Sequence, residues 1–129
     1  MLIRKLLILS LSMLTVSQFT FADESKFTKQ FSICMDNSRG TTSEMLDCMV
    51  IETKYQDTRL NKAYKEVMVT LTAECKSQLQ QVQRAWIKYR DTNCDFYADS
   101  NADSLATLNS ANCFMEITAS RVALLQIGI

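Results

Sequence analysis

Gln83-Arg84-Ala85-Trp86-Ile87-Lys88-Tyr89-Arg90-Asp91-Thr92-Asn93-Cys94 is the stretch that decides how this chain folds. It gathers an indole, a phenol, two guanidinium groups, a carboxylate and a thiol within about three turns of helix. Arg84, Arg90 and Asp91 are too polar for a plain core helix. Trp86 and Tyr89 are too large and apolar for a solvated one. The segment must therefore face a core and hold charge beside it.

Outward from this stretch, an apolar periodicity continues in both directions. Cys75, Leu79, Val82, Trp86, Tyr89, Asn93 and Phe96 follow one another in steps of four and three, which predicts a heptad-like core stripe with Trp86 inside it. Upstream, Leu60, Tyr64, Val67 and Leu71 keep the same rhythm, and Met45, Cys48 and Met49 begin it. Downstream, Leu108, Ala111, Met115, Thr118, Val122 and Leu125 repeat it. A short first helix is expected from about Glu24 to Cys34. Asp36 to Gly40 then reads as a turn, and Thr41, Thr42 or Ser43 as the cap of a long second helix. The break before the third helix falls near Thr70 to Ala73, with Thr72 as its cap, and Ser100 to Ser104 forms the last turn. The chain has no proline and two glycines, so helix breakers are nearly absent. The fold expected is all-α: a small antiparallel bundle of three to four helices.

The first residues stand apart. Arg4 and Lys5 precede an apolar run from Leu6 to Val16, and Thr20-Phe21-Ala22 supplies the small residues of a peptidase site. Residues 1–22 read as a cleavable secretory signal, leaving 23–129 as a single domain. The apolar run is shorter than the ~20 residues of a membrane-spanning helix. Asp23, not a cysteine, follows the cleavage point, so no lipid anchor is expected there. The destination is the periplasm or the exterior.

The full chain balances 14 basic against 14 acidic residues, and loss of the leader leaves the remainder slightly acidic. No basic face for nucleic acid is indicated. The chain has no histidine, which removes the commonest general base and the commonest metal ligand. No catalytic constellation is visible, so no enzyme and no cofactor is expected. Asp99-x-Asn101-x-Asp103 opens like a calcium loop, but Ser104 and Ser110 stand where glycine and glutamate are required, so no metal site is expected.

Five cysteines leave several pairings open. Their order along the helices favours Cys34–Cys48 and Cys94–Cys113, each pinning one hairpin. Each would close a short loop worth about 3 kcal/mol. Cys75 is then the odd thiol. It reads as a small core residue at the head of the third stripe, in preference to a reactive or dimer-forming thiol.

Asp57, Asn61 and Tyr64 share one face of the second helix. A structural layer is expected in which Asp57 and Asn61 pair across the hairpin with Arg84 or Arg90. The competing reading makes the arginines a binding surface. Asp91, Asp95, Asp99 and Asp103 recur every four residues, and their repulsion is a reason for the helix to end near Ser100.

The pattern resembles the LprI-type lysozyme-inhibitor family, at its N-terminal domain. The resemblance rests on Cys48, on Asp57-x-x-Leu60-Asn61-x-x-Tyr64, on Gln83-Arg84-x-Trp86-Ile87-x-Tyr89-Arg90-Asp91-x-x-Cys94, on Cys113, and on Thr118-x-x-Arg121. These positions span nearly all of the chain beyond the leader. The resemblance implies a small exported helical domain with two disulfides that binds and inhibits lysozyme. The chain departs from the family in its extra Cys75 and in lacking the lipid-anchor cysteine of some relatives. An exported inhibitor would cover or plug the cleft of a cell-wall hydrolase. Arg39 and Arg90 are the candidate donors to that cleft, and the stretch from Asp36 to Thr42 the candidate plug. Asp95, Asp99 and Asp103 are candidates for attracting a basic lysozyme, although a solvated helix end is the simpler reading of them. The alternatives are an immunity protein against a toxin from rival cells, or a structural or stress-related envelope protein that dimerises through Cys75.

Overall fold

The computed structural model describes residues 26–98 and 103–127, which form four helices and no strand. In chain order these are α1 (Lys29–Asn37), α2 (Thr42–Thr70), α3 (Ala73–Ala98) and α4 (Ser104–Ile127). The expected leader over residues 1–22 lies outside the described residues.

Local chemistry sets the ends. Thr28 caps α1, its hydroxyl accepting the Phe31 N–H at 3.1 Å. Lys26 to Thr28 are therefore not helical, and α1 starts later than expected; Glu24 is outside the described residues. The helix also runs past Cys34 to Asn37, so the turn is tighter than the sequence implied. Ser38 is buried, and its N–H donates to the carbonyls of Cys34 at 3.1 Å and Met35 at 3.2 Å. Arg39 (φ 50°) and Gly40 (φ 79°) then reverse the chain in the left-handed region. Thr41 heads α2 without a side-chain bond of its own. Thr72 caps α3, accepting from the Cys75 N–H at 3.3 Å, as its position suggested. Asp103 caps α4, accepting from the Ala106 N–H at 2.7 Å.

α4 lies between α2 and α3 and packs along both, while α1 rests on α2. α3 runs antiparallel to its neighbours, so α2 and α4 are parallel. The central core joins Leu60 and Ala63 of α2 to Val122 and Leu125 of α4, with Tyr64, Leu79 and Trp86 half-buried against it. Burying each leucine or valine of this set contributes about 1.5–3 kcal/mol. The stripes expected on α2 and α4 are the ones that pack. Both expected disulfides are present, with Cα–Cα distances of 5.7 Å for Cys34–Cys48 and 5.4 Å for Cys94–Cys113.

Two expectations fail on α3. Of the seven residues in its apolar stripe, Val82, Tyr89 and Phe96 are exposed, and only Leu79, Trp86 and Asn93 turn partly inward. The inward face is instead Leu79, Gln83, Trp86, Arg90 and Cys94, one register round the helix. The reason is that buried polar groups found partners there and the Cys94 bridge fixed the rotation. Cys75, read as a core residue, is exposed and unbridged.

Candidate functional site

Where α2, α3 and α4 meet, the motif residues form one polar and aromatic layer built around Arg90. α3 carries Arg90 inward between the Leu79 and Cys94 ends of its packed face. Its side chain is only 17% exposed. Nε donates to Asp91 at 2.9 Å, and Nη1 donates to Asp57 and to the buried Thr118 hydroxyl, each at 3.4 Å. The guanidinium also lies 5.1 Å from the Trp86 ring centre and 5.6 Å from that of Phe114. Arg121 of α4 approaches Trp86 as well, at 5.7 Å, and donates to Gln83 at 3.1 Å. Burial pulls the Arg121 guanidinium below its ordinary value, and the ring quadrupole and the Gln83 carbonyl oppose that loss of hydration. Arg121 on the indole thus ties α4 to α3, and the Arg90–Asp57 contact ties α2 to both.

The sequence-based expectation of an Asp57 to Arg90 pair is met, but its other half is not. Asn61 and Arg84 are exposed and line a shallow groove with Tyr64 and Ile87. Leu60 is core and Tyr64 packs against it, whereas Tyr89 is 59% exposed.

A second buried polar cluster was missed. Glu52 and Gln56 of α2 are 2% and 0% exposed. The Glu52 carboxylate accepts from the Thr28 N–H at 3.1 Å, from the Thr28 hydroxyl at 2.5 Å and from Gln56 at 2.7 Å. Gln56 donates in addition to the Lys26 carbonyl at 3.2 Å, and Lys26 itself pairs with Glu116 of α4. Every polar atom is satisfied, so the cluster clasps the segment before α1 onto the bundle. The signal lay in the α2 stripe. Met49, Glu52, Gln56 and Leu60 continue its steps of three and four, so the polar pair sits where apolar residues are due.

The surface candidates separate. Arg39 is exposed at the tip of the α1–α2 turn, close to the Cys34–Cys48 bridge. Asp95 is exposed on α3, whereas Asp91 is engaged by Arg90 and Asp103 is engaged as the α4 cap. Asp99 is outside the described residues, so no continuous acidic stripe is assembled among those described. A groove of roughly 530 Å³ opens between α1 and α2, lined by Phe31, Ile51, Tyr55 and the Cys34–Cys48 bridge over Glu52. Another, of roughly 590 Å³, runs between α2 and α4 past Val50, Ala111 and Phe114. Among the described residues no helix is long and apolar enough to cross a membrane.

Comparison with known proteins adds one match. The family model described as "Lysozyme inhibitor LprI" covers residues 34–125, from the first bridge cysteine to the last core leucine. No curated protein and no solved structure matches the chain.

Proposed function

This chain belongs to the LprI lysozyme inhibitor family, and from that premise we propose that it binds a lysozyme-type cell-wall hydrolase and blocks its substrate cleft without performing catalysis itself. The observation that carries this reading is the family match, which takes in both disulfides and the whole Arg90–Trp86 layer. The family and the two disulfides suit an extracellular or periplasmic protein. We assign residues 1–22 to a cleaved export signal on the leader pattern alone.

Arg39 is the residue best placed to enter a cleft. Glycosidase clefts work through a pair of carboxylates, which a guanidinium can engage by two parallel hydrogen bonds. Arg39 is presented on a two-residue reversal, braced by buried Ser38 and by the Cys34–Cys48 bridge, so little ordering is lost on docking. Arg90 has its Nε and Nη1 engaged inside the bundle and serves the scaffold. Asp95 lies free to steer a basic hydrolase.

The test is clearing of a peptidoglycan suspension by an animal-type lysozyme in the presence of the oxidised chain. Inhibition should rise with dose, and Arg39→Glu should weaken it by at least about tenfold, or ~1.4 kcal/mol. Undiminished clearing at large molar excess of the wild-type chain refutes the reading for that lysozyme class.

A further inference from the structure

We propose that a second copy of this chain docks along the outer face of α3, helix parallel to helix, bringing the Cys75 thiols of the two copies opposite each other. The observation is the stripe that failed to enter the core. Cys75, Val82, Tyr89 and Phe96 recur every seven residues, and all are exposed, Val82 by 51%, Tyr89 by 59% and Phe96 by 76%. A lone straight helix drifts ~20° per heptad from such a repeat, whereas a helix paired with another holds it in line.

The composition of this face suits a helical partner. Three residues beyond Cys75, Val82 and Tyr89 stand Gln78, Ala85 and Thr92, all exposed and uncharged. The small Ala85 and Thr92 let two helices approach, while Lys88 and Asp95 stay at the flank. From Cys75 to Phe96 the stripe covers roughly 31 Å of helix at 1.5 Å per residue.

Symmetry selects a second copy as the occupant. A two-fold axis parallel to α3 sets each residue of the stripe against itself, which is the isologous arrangement of closed dimers. Valine, tyrosine and phenylalanine then meet their like, and so does cysteine. With an aromatic residue burying roughly 150 Å², Tyr89 and Phe96 from both copies supply about 600 Å², and Val82, Ala85, Gln78, Thr92 and Cys75 beside them must be covered as well for the face to approach the ~1,000 Å² of a specific interface. An interface at that limit is weak alone, and the thiol supplies the bond that holds it. The bond forms by exchange with a small-molecule disulfide such as oxidised glutathione. One Cys75 thiolate attacks the disulfide and releases one glutathione thiolate. The Cys75 thiolate of the second copy attacks the protein sulfur of that mixed disulfide and releases the other. Two protein thiols become one disulfide, and the two protons they lose are taken by the two glutathione thiolates.

The experiment uses the chain from residue 23 onward with both internal bridges formed, held in a glutathione redox buffer. Light scattering gives the mass and a non-reducing gel the covalent state. The wild-type mass should double and return to that of the monomer with mild reductant. Cys75→Ser should lose the covalent band. Tyr89→Arg should slow covalent dimer formation at least tenfold with an unchanged helical spectrum and melting temperature. A wild-type chain that stays monomeric overturns the proposal, and so does a Tyr89→Arg chain that cross-links at the wild-type rate, since the thiol would then be reacting by random collision. If the wild type is monomeric and Tyr89→Arg loses lysozyme inhibition, the stripe is the hydrolase surface and the dimer is refuted. The mass measurement does not depend on the inhibitor reading.

Discussion

Arg90 concentrates more of the fold than any other side chain described. It contacts three carboxylate or hydroxyl oxygens and two aromatic faces at once. Its partners Asp57 and Asp91 are each 46% exposed, so the layer is neither a dry ion pair nor a surface one. Arg90→Met should therefore cost about 2–3 kcal/mol, between the cost of breaking a buried pair and that of an exposed pair. A urea midpoint measured beside the wild type checks this. Arg90→Lys should recover little, because an ammonium offers neither the planar fork nor the stacking. Arg39 behaves in the opposite way. It holds a positive φ that a side chain resists by roughly 1 kcal/mol. Arg39→Gly should leave the melting temperature unchanged or raise it while weakening lysozyme inhibition; a loss of both would make Arg39 a folding residue. The pairing of Asp57 with an arginine was legible in the sequence, since both lie on faces that meet across the hairpin. The choice of Arg90 over Arg84 was not, because it follows from the rotation of α3, and the two arginines sit on different sides of that helix.

At the scale of the element, α2 and α4 read correctly because Leu60 and Val67 of α2 and Met115, Val122 and Leu125 of α4 are aliphatic groups that nothing but the core competes for. α3 misled because its apolar residues outnumber its inward ones. Cys94 must reach Cys113, and that constraint turns Gln83 and Arg90 inward and Val82, Tyr89 and Phe96 outward. Counting apolar residues sees burial preference but no tether. The same reasoning explains why Glu52 and Gln56 were overlooked: a carboxylate inside a stripe looks like an interruption until the Thr28 donors are located. Glu52→Ala should strip those donors of their acceptor at a cost of about 1–3 kcal/mol. Faster amide exchange at Phe31 and Ser32, with α3 protection unchanged, would locate the effect in the α1 clasp. Uniform loss of protection throughout the bundle would contradict it. Removing the bridge that orients α3, by Cys94→Ser or Cys113→Ser, should cost about 3 kcal/mol. Cys75→Ser should leave the melting of the monomer alone, since that thiol is exposed and unbridged. The opposite ranking in a calorimeter would contradict the packing described here.

At the scale of the molecule, the bundle separates support from presentation. The two polar clusters fix helix register and the clasp, and their donors are consumed in doing so. The outward features include a cationic turn, Asp95, the apolar flank of α3 and the grooves beside α2. If Arg39 engages hydrolase carboxylates, inhibition should weaken as salt rises from low to ~1 M, where the screening length falls to about 3 Å. An association insensitive to salt would shift the contact to the apolar grooves. The bundle architecture was legible in the sequence because helix count, turns and cysteine order all agree with it. Which surfaces face outward depended on the rotation of one helix, and no local pattern states that.

The placement of the two bridges has a topological consequence. Each one closes a single hairpin, and none spans the Leu71–Thr72 joint between α2 and α3. A peptide bond cut inside either hairpin leaves the chain in one covalent piece until reductant is added. A cut anywhere from Met49 to Asn93 frees two closed fragments at once, one carrying α1 and the other carrying α4. In a compartment rich in proteases, the covalent integrity of this protein thus rests on the unstapled middle of its chain, where packing alone guards the backbone.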